Sequence, residues 1–266
     1  MLQAIMFDLD DTLIWDKKSV DEAFRVASEQ AAQHYSIDPD VLTNKVKETA
    51  RKLFSSYDTY SFTEMIGISP FEGLWGVFDD EGDSLQKLKE LAPGYRKEAW
   101  TKGLTELGVD DPQLGSQLAD TFKRERSTKQ FVYDETFNVL DQLKGNYQLL
   151  LLTNGSPDLQ WTKLHVTPEL QSYFDHIVIS GAFGKGKPDP SIFHHACHLL
   201  GVETDEALMI GDNLYSDILG ASRAGVSSVW INHHNTDNND VFPTYEIDRL
   251  GALSSIIDAH HKKTGR

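Results

Sequence analysis

Five short apolar runs, each followed by turn residues and then a helical pattern, constrain what this chain can fold into. They cover residues 4–9, 147–152, 176–179, 207–210 and 228–231. Runs of this length, apolar on both faces, suit strands of a parallel sheet covered by helices on each side. The helices between them carry punctuation. Asp134 and Asp189 are candidate N-caps, Pro190 suits a first helical position, and Gly145, Gly201 and Gly225 stand where helices stop. Strands alternating with helices imply right-handed crossovers, and so a doubly wound, Rossmann-like α/β fold with a parallel sheet.

Residues 16–130 break that rhythm. Segments 20–35, 40–57, 84–107 and 113–126 place apolar residues at helical spacing, with no buried strand between them. They read as an all-helical domain inserted between the first two strands. Residues 1–15 and 131–266 then form the α/β core domain. Within the insertion, the Gly- and aromatic-rich stretch 67–83 reads as a long loop, whose Phe71, Trp75 and Phe78 pack inward and whose acidic end, 79–83, is solvated. The tail 260–266 is expected to fray.

Length and composition close off other classes. With 266 residues, 39% of them hydrophobic, the chain can bury a sizeable core. Its net charge of −16 argues against broad binding to nucleic acid or to an anionic membrane, since both require a basic surface. The single Cys197 excludes an internal disulfide. The N-terminal apolar stretch lacks a basic flank and runs into Asp8, Asp10 and Asp11, unlike a secretory signal. The expectation is a cytoplasmic protein without a membrane span, of undetermined oligomeric state.

Four polar clusters stand at the carboxyl ends of the expected strands, where open α/β sheets place their sites. The first is Asp8-Leu9-Asp10-Asp11-Thr12, whose crowded carboxylates suit a hard divalent cation with oxygen ligands. The second, Thr153-Asn154-Gly155, offers a hydroxyl and turn amides to phosphate oxygens. The third places Lys187 just before a helix start, as a point charge within reach of a phosphate or a carboxylate. The fourth, Gly211-Asp212 with Asp217 about one helical turn on, adds further carboxylates. Each alone is an ordinary turn; their order along the chain carries the argument.

Together these residues resemble the four motifs of the haloacid dehalogenase superfamily of hydrolases, and the helical insertion resembles that superfamily's type 1 cap. The resemblance covers nearly the whole chain. It implies a Mg²⁺-dependent phosphomonoester hydrolase working through an aspartyl-phosphate. Asp8 would be the nucleophile and Asp10 the general acid and base. Asp8, the Asp10 carbonyl, Asp212 and Asp217 would hold or support Mg²⁺. Thr153, Asn154 and Lys187 would bind the transferring phosphoryl group, with Asp11 and Thr12 beside it. Dehalogenases of the superfamily lack an acid at the position of Asp10, which favours the phosphatase reading. A sugar phosphomutase or a haloacid dehalogenase is the alternative within the superfamily, and a phosphoprotein-binding scaffold the one outside it. The implied partner is a small phosphorylated metabolite: phosphoserine, a nucleoside monophosphate, or a sugar or sialic acid phosphate. The insertion holds 16 of the 25 basic residues, so Arg51, Lys52, Arg96, Arg124 and Arg126 are its candidates for selecting substrate.

Overall fold

The computed structural model describes residues 1–238 and 240–263. Strands are β1 (Ala4–Phe7), β2 (Gln148–Thr153), β3 (His176–Ile179), β4 (Ala207–Gly211), β5 (Ser227–Ile231) and β6 (Tyr245–Ile247). Helices are α1 (Asp16–Ala32), α2 (Pro39–Ser56), α3 (Tyr60–Ile66), α4 (Pro70–Gly73), α5 (Asp83–Thr105), α6 (Pro112–Thr128), α7 (Thr136–Leu143), α8 (Pro157–Val166), α9 (Ser180–Phe183), α10 (Pro190–Leu200), α11 (Leu219–Ala224) and α12 (Leu253–Lys263). None of the described helices is long and apolar enough to cross a membrane.

The chain forms two compact units, residues 1–15, 131–155 and 167–266 in one, and residues 16–130 and 156–166 in the other. In the first, a six-stranded sheet runs β3-β2-β1-β4-β5-β6, with every pair parallel. All four residues of β1 are fully buried, as a strand covered on both faces requires. Alternate residues feed opposite faces. Ala4, Met6, Leu150, Leu152 and Met209 pack with Phe193, Cys197 and Leu200 of α10 and with Ala221 of α11. The strand order changes direction between β1 and β4, and the Asp8 N–H donates to the Ile210 carbonyl at 2.9 Å across that junction. This is the topological switch point at which a doubly wound sheet opens a crevice.

In the second unit, α1, α2, α5 and α6 pack around Phe24, Trp100 and Phe122, whose ring centroids lie 4.5–6.0 Å apart. Trp75 and Phe78 belong to the same core, as expected, with Phe71 half-buried against it.

Several expectations change. Strand β6 was not anticipated. It is three residues of mixed polarity, and only its pairing with β5 defines it. Segment 67–83 is not loop throughout: Ser69 and Glu72 form a reciprocal capping box that starts the short α4. Asp134 does not cap α7; Glu135 holds the cap position, without a side-chain bond, whereas Asp189 caps α10 by accepting from the Ser191 N–H. Residues 260–263 of the expected frayed tail belong to α12, and 264–266 lie outside the described residues.

Segment 156–166, counted with the α/β domain from sequence, clusters with the helical unit. Leu159 joins that unit's core, and Asp80 accepts from the Asp158 N–H at 2.7 Å. The buried Lys163 ammonium lies 3.0 Å from Glu72 and 3.8 Å from Asp16, and Arg126 meets Asp16 at 2.6 Å. Burial pushes the Asp16 carboxyl up, but Lys163 and Arg126 outweigh it and hold the group below the usual range. Arg126 is therefore an interior ion-pair residue over the Trp75 ring, and Arg96 is buried, donating to the Ala92 and Gly76 carbonyls. Neither is a solvated surface base.

Candidate active site

The first unit brings the tips of β1, β2 and β4 to one edge of the sheet. Phe7 is in register with both Leu151 and Ile210, so Asp8, Thr153 and Gly211-Asp212 leave the sheet side by side. Lys187 joins them from the loop before α10. Its ammonium contacts Asp8 Oδ1 at 2.6 Å and Asp217 Oδ1 at 2.7 Å, and donates to the Leu152 carbonyl at 2.7 Å.

Local structure fixes that ammonium. The Lys187 N–H donates to Asn154 Oδ1, and Asn154 Nδ2 donates to the Lys187 carbonyl, both at 2.9 Å. A Cβ on Gly186 would lie 2.8 Å from Asn154 Oδ1, so the loop closes on Asn154 only because that residue is glycine. The Asn154 side chain thus clamps the lysine loop. Thr153 is fully buried at the end of β2, and the Gly155 N–H donates to Ser180 Oγ at 2.9 Å.

Asp217 is brought back to the strand end by a π-helical turn, Leu214–Ile218, an irregularity frequent at functional sites. The Asn213 carboxamide oxygen starts that turn by accepting from the Tyr215 and Ser216 N–H groups, and the Asn213 backbone N–H donates to Asp217 Oδ2 at 3.1 Å. A Cβ on Gly211 would lie 2.3 Å from the same carboxylate oxygen. Asp212 receives the Thr12 hydroxyl at 3.5 Å, and its carbonyl accepts from the Trp230 indole at 2.8 Å.

Among the described residues, oxygens of Asp8, Asp212 and Asp217 lie within 4.8 Å of one another, facing one lysine. The charge balance is negative, and it shows in the ionisation. Burial pushes the Asp8 carboxyl up to about 6, against the pull of Lys187. Burial and then the neighbouring Asp217, Asp8 and Asp11 raise Asp212 well above the carboxylate range. Burial alone would lower Lys187, but Asp217 and Asp8 outweigh it and raise the ammonium instead. Three carboxylates, those of Asp8 and Asp217 buried and that of Asp212 half-buried, with a deficit of positive charge fit a hard divalent cation.

Asp10 and Asp11 occupy the turn after Asp8. Asp10 is half-buried and bridged to Ile14, and Asp11 takes a left-handed φ of 55°. Sequence reading missed Tyr133, Trp230 and His233. Burial, and then the charges of Asp11 and Asp212, raise the Tyr133 phenol above its ordinary range. His233 donates to the Asp11 carbonyl. Its position just past β5 was the available signal, because it too lies at the carboxyl end of a strand.

A family model described as haloacid dehalogenase-like hydrolase matches residues 2–225. The chain is 34% identical to phosphoserine phosphatase of Thermus thermophilus, over 86% of this chain and 88% of that one. It is 30% identical to N-acylneuraminate-9-phosphatase of Mus musculus, over 87% and 83% respectively. The HAD hydrolase YfnB of Bacillus subtilis, solved with magnesium, shares the fold with a TM-score of 0.66 at 22% identity, covering 97% of this chain and 99% of that one. A site assembled at the tips of β1, β2 and β4, and a family match running through all three, place this chain among the haloacid dehalogenase-like hydrolases.

Proposed function

We propose that the protein is a Mg²⁺-dependent phosphatase of small phosphorylated metabolites, acting through an aspartyl-phosphate. The observation that carries this is the Asp8 carboxylate at the tip of β1, held 2.6 Å from Lys187 and grouped with Asp212 and Asp217. Asp8 attacks phosphorus as the bond to the leaving oxygen breaks, and Asp10 gives that oxygen its proton. Water then attacks the phosphoryl group while the Asp10 carboxylate takes a proton from it. The bond to Asp8 breaks, and phosphate departs. Lys187, Thr153 and the Asn154 main chain face the oxygens over which the transferring charge spreads. Asp8, the Asp10 carbonyl, Asp212 and Asp217 would hold Mg²⁺, which supplies positive charge to the carboxylates and the phosphoryl oxygens. One relative is named a phosphoserine phosphatase and the other an N-acylneuraminate-9-phosphatase, so phosphoserine and an N-acylneuraminate phosphate are the first esters to test. A panel of phosphomonoesters with Mg²⁺ tests the reading, and phosphate release from none of them would refute it.

Two outcomes are specific to this mechanism. In Asp10→Asn the first step on p-nitrophenyl phosphate should survive, because nitrophenolate leaves without a proton, while turnover falls about 10²–10⁴-fold. Stopped-flow should show one equivalent of nitrophenolate and then a stall; a burst lost along with turnover contradicts the assignment.

The second outcome concerns pH. The Asp8 pKa of about 6 in the folded protein exceeds its ordinary 3.8, so the folded state holds that proton more tightly. Stability from this group is full below about pH 4 and is lost as pH rises through about 6. A divalent cation offsets the ionised carboxylates, whereas at low pH it must first displace protons. The melting temperature of metal-free protein should therefore rise more on adding Mg²⁺ at pH 7.5 than at pH 5. An equal or larger rise at pH 5 contradicts the site.

A further inference from the structure

The turn that carries Asp10 is pinned from two sides. Upstream, the Leu9 carbonyl accepts from the N–H groups of Thr12, Leu13 and Ile14 at 3.4, 3.0 and 3.1 Å. Downstream lies Asp11, whose φ of 55° is an unusual conformation for a residue with a side chain, costing about 1 kcal/mol. Such a conformation persists only where its surroundings hold it. That φ is the rotation between the Asp10–Asp11 peptide plane, which includes the Asp10 carbonyl, and the rest of Asp11, so a hold on the Asp11 carbonyl restricts how the Asp10 carbonyl can turn.

That hold is His233. Its Nε2 lies 2.9 Å from the Asp11 carbonyl oxygen. A carbonyl can only accept, so Nε2 carries a proton and donates it. The ring is itself held flat. It stacks on Tyr133 at 4.9 Å and 17°, and Tyr133 stacks on Trp15 at 5.5 Å and 14°. The backbone beneath it is tied to β6: Asn232 N donates to the Ile247 carbonyl at 2.7 Å, and Asn232 Nδ2 donates to Glu246 Oε1 at 2.7 Å. A rigid donor from β5 and β6 therefore reaches across to the loop after β1.

We propose that His233 is a positioning residue, whose Nε2–H fixes the Asp11 carbonyl and thereby sets the Asp10 carbonyl for metal binding and the Asp10 carboxyl for proton transfer. This rests on the phosphatase reading above. Groups that orient a metal's ligands typically change its affinity 10–100-fold when removed.

The test compares His233→Phe, which keeps a flat ring but has no donor, with His233→Gln, whose amide can place an N–H near the same point. Mg²⁺ affinity is read by calorimetry on the full chain, beside kcat and KM on p-nitrophenyl phosphate and the melting temperature. His233→Phe should bind Mg²⁺ about tenfold more weakly and lose kcat rather than raise KM, and His233→Gln should recover most of both. Should the Phe variant fail to fold, His233→Met, of similar length to Gln and without an N–H, replaces it. Mg²⁺ binding by the donor-free variant within twofold of the parent overturns the proposal. So does a Gln variant as impaired as Phe, which would make the stacked ring the relevant feature. A parent protein that binds Mg²⁺ but releases no phosphate from any ester refutes the phosphatase reading instead, and the comparison of Mg²⁺ affinities still decides the role of His233.

Discussion

Replacing Asp8 by Asn should lower phosphate release by about four orders of magnitude or more, the scale on which loss of a nucleophile acts, while leaving the fold intact. The amide matches the carboxylate in shape but cannot form the acyl phosphate. Stability should not fall with activity. Burial already disfavours the ionised Asp8, raising it to about 6, and Lys187 keeps its contact with Asp217 at 2.7 Å when Asp8 is neutralised. Metal-free Asp8→Asn should accordingly melt at or above the parent's temperature at pH 7.5. Phosphate release measured beside thermal melts checks both halves, and undiminished turnover in the variant would remove Asp8 from the mechanism.

Lys187→Met should act in the opposite sense on stability. The ammonium contacts Asp8, Asp217 and the Leu152 carbonyl within 2.6–2.7 Å, and its side chain is 2% exposed. Removing one partner of a buried ion pair costs about 3–5 kcal/mol, because the remaining charges stay buried without compensation. The loss should be large at pH 7.5 and smaller at pH 5, where Asp8, with its pKa of about 6, takes up a proton. Urea unfolding of metal-free protein at the two pH values measures this. Turnover should also fall by about 10²–10³-fold, as when a fixed donor to the transition state is lost. Lys187→Arg should restore little, since a planar fork cannot bring one nitrogen to three oxygens that converge on a point. A stability loss independent of pH would mean that the carboxylates are not what Lys187 compensates.

The two variants probe one balance. Three carboxylates at or near the tips of β1 and β4, those of Asp8, Asp212 and Asp217, are tolerated because the sheet's switch point gathers them beside a single lysine, and the remaining negative charge is what prepares the site for a cation. Asp217 shows how closely that balance depends on backbone form: without the π-helical turn, and without glycine at Gly211, its carboxylate would have no room at the strand end.

Much of this was legible in the sequence. A strand buried on both faces must be apolar throughout, so β1 to β5 announced themselves, and the polar residues ending such runs could only lie at the sheet's edge. Asp8, Asp212, Thr12 and Asn154 were legible for that reason, Asp217 by its spacing of about one helical turn from Asp212, and Lys187 by its place just before a helix start. Strand β6 was not, because Tyr245-Glu246-Ile247 has no periodicity of its own and exists through its ladder with β5. Nor were the interior positions of Arg96 and Arg126. A charged side chain reads as solvated until its partners are known, and those of Arg126 are Asp16 at the other end of the helical segment and the Trp75 ring.

The sequence by itself determined the class of fold, the strand tips and the chemical parts placed on them, since hydrophobic burial and strand alternation are properties of local pattern. Only the tertiary structure decided which parts touch. It set the Asn154 side chain as a clamp on Lys187, moved residues 156–166 to the helical unit, and set His233 against the carbonyl of Asp11. The physical reason is the same in each case. A hydrogen bond or ion pair between residues far apart in the chain leaves no trace in either local sequence, and it forms only once the sheet has brought the two segments together.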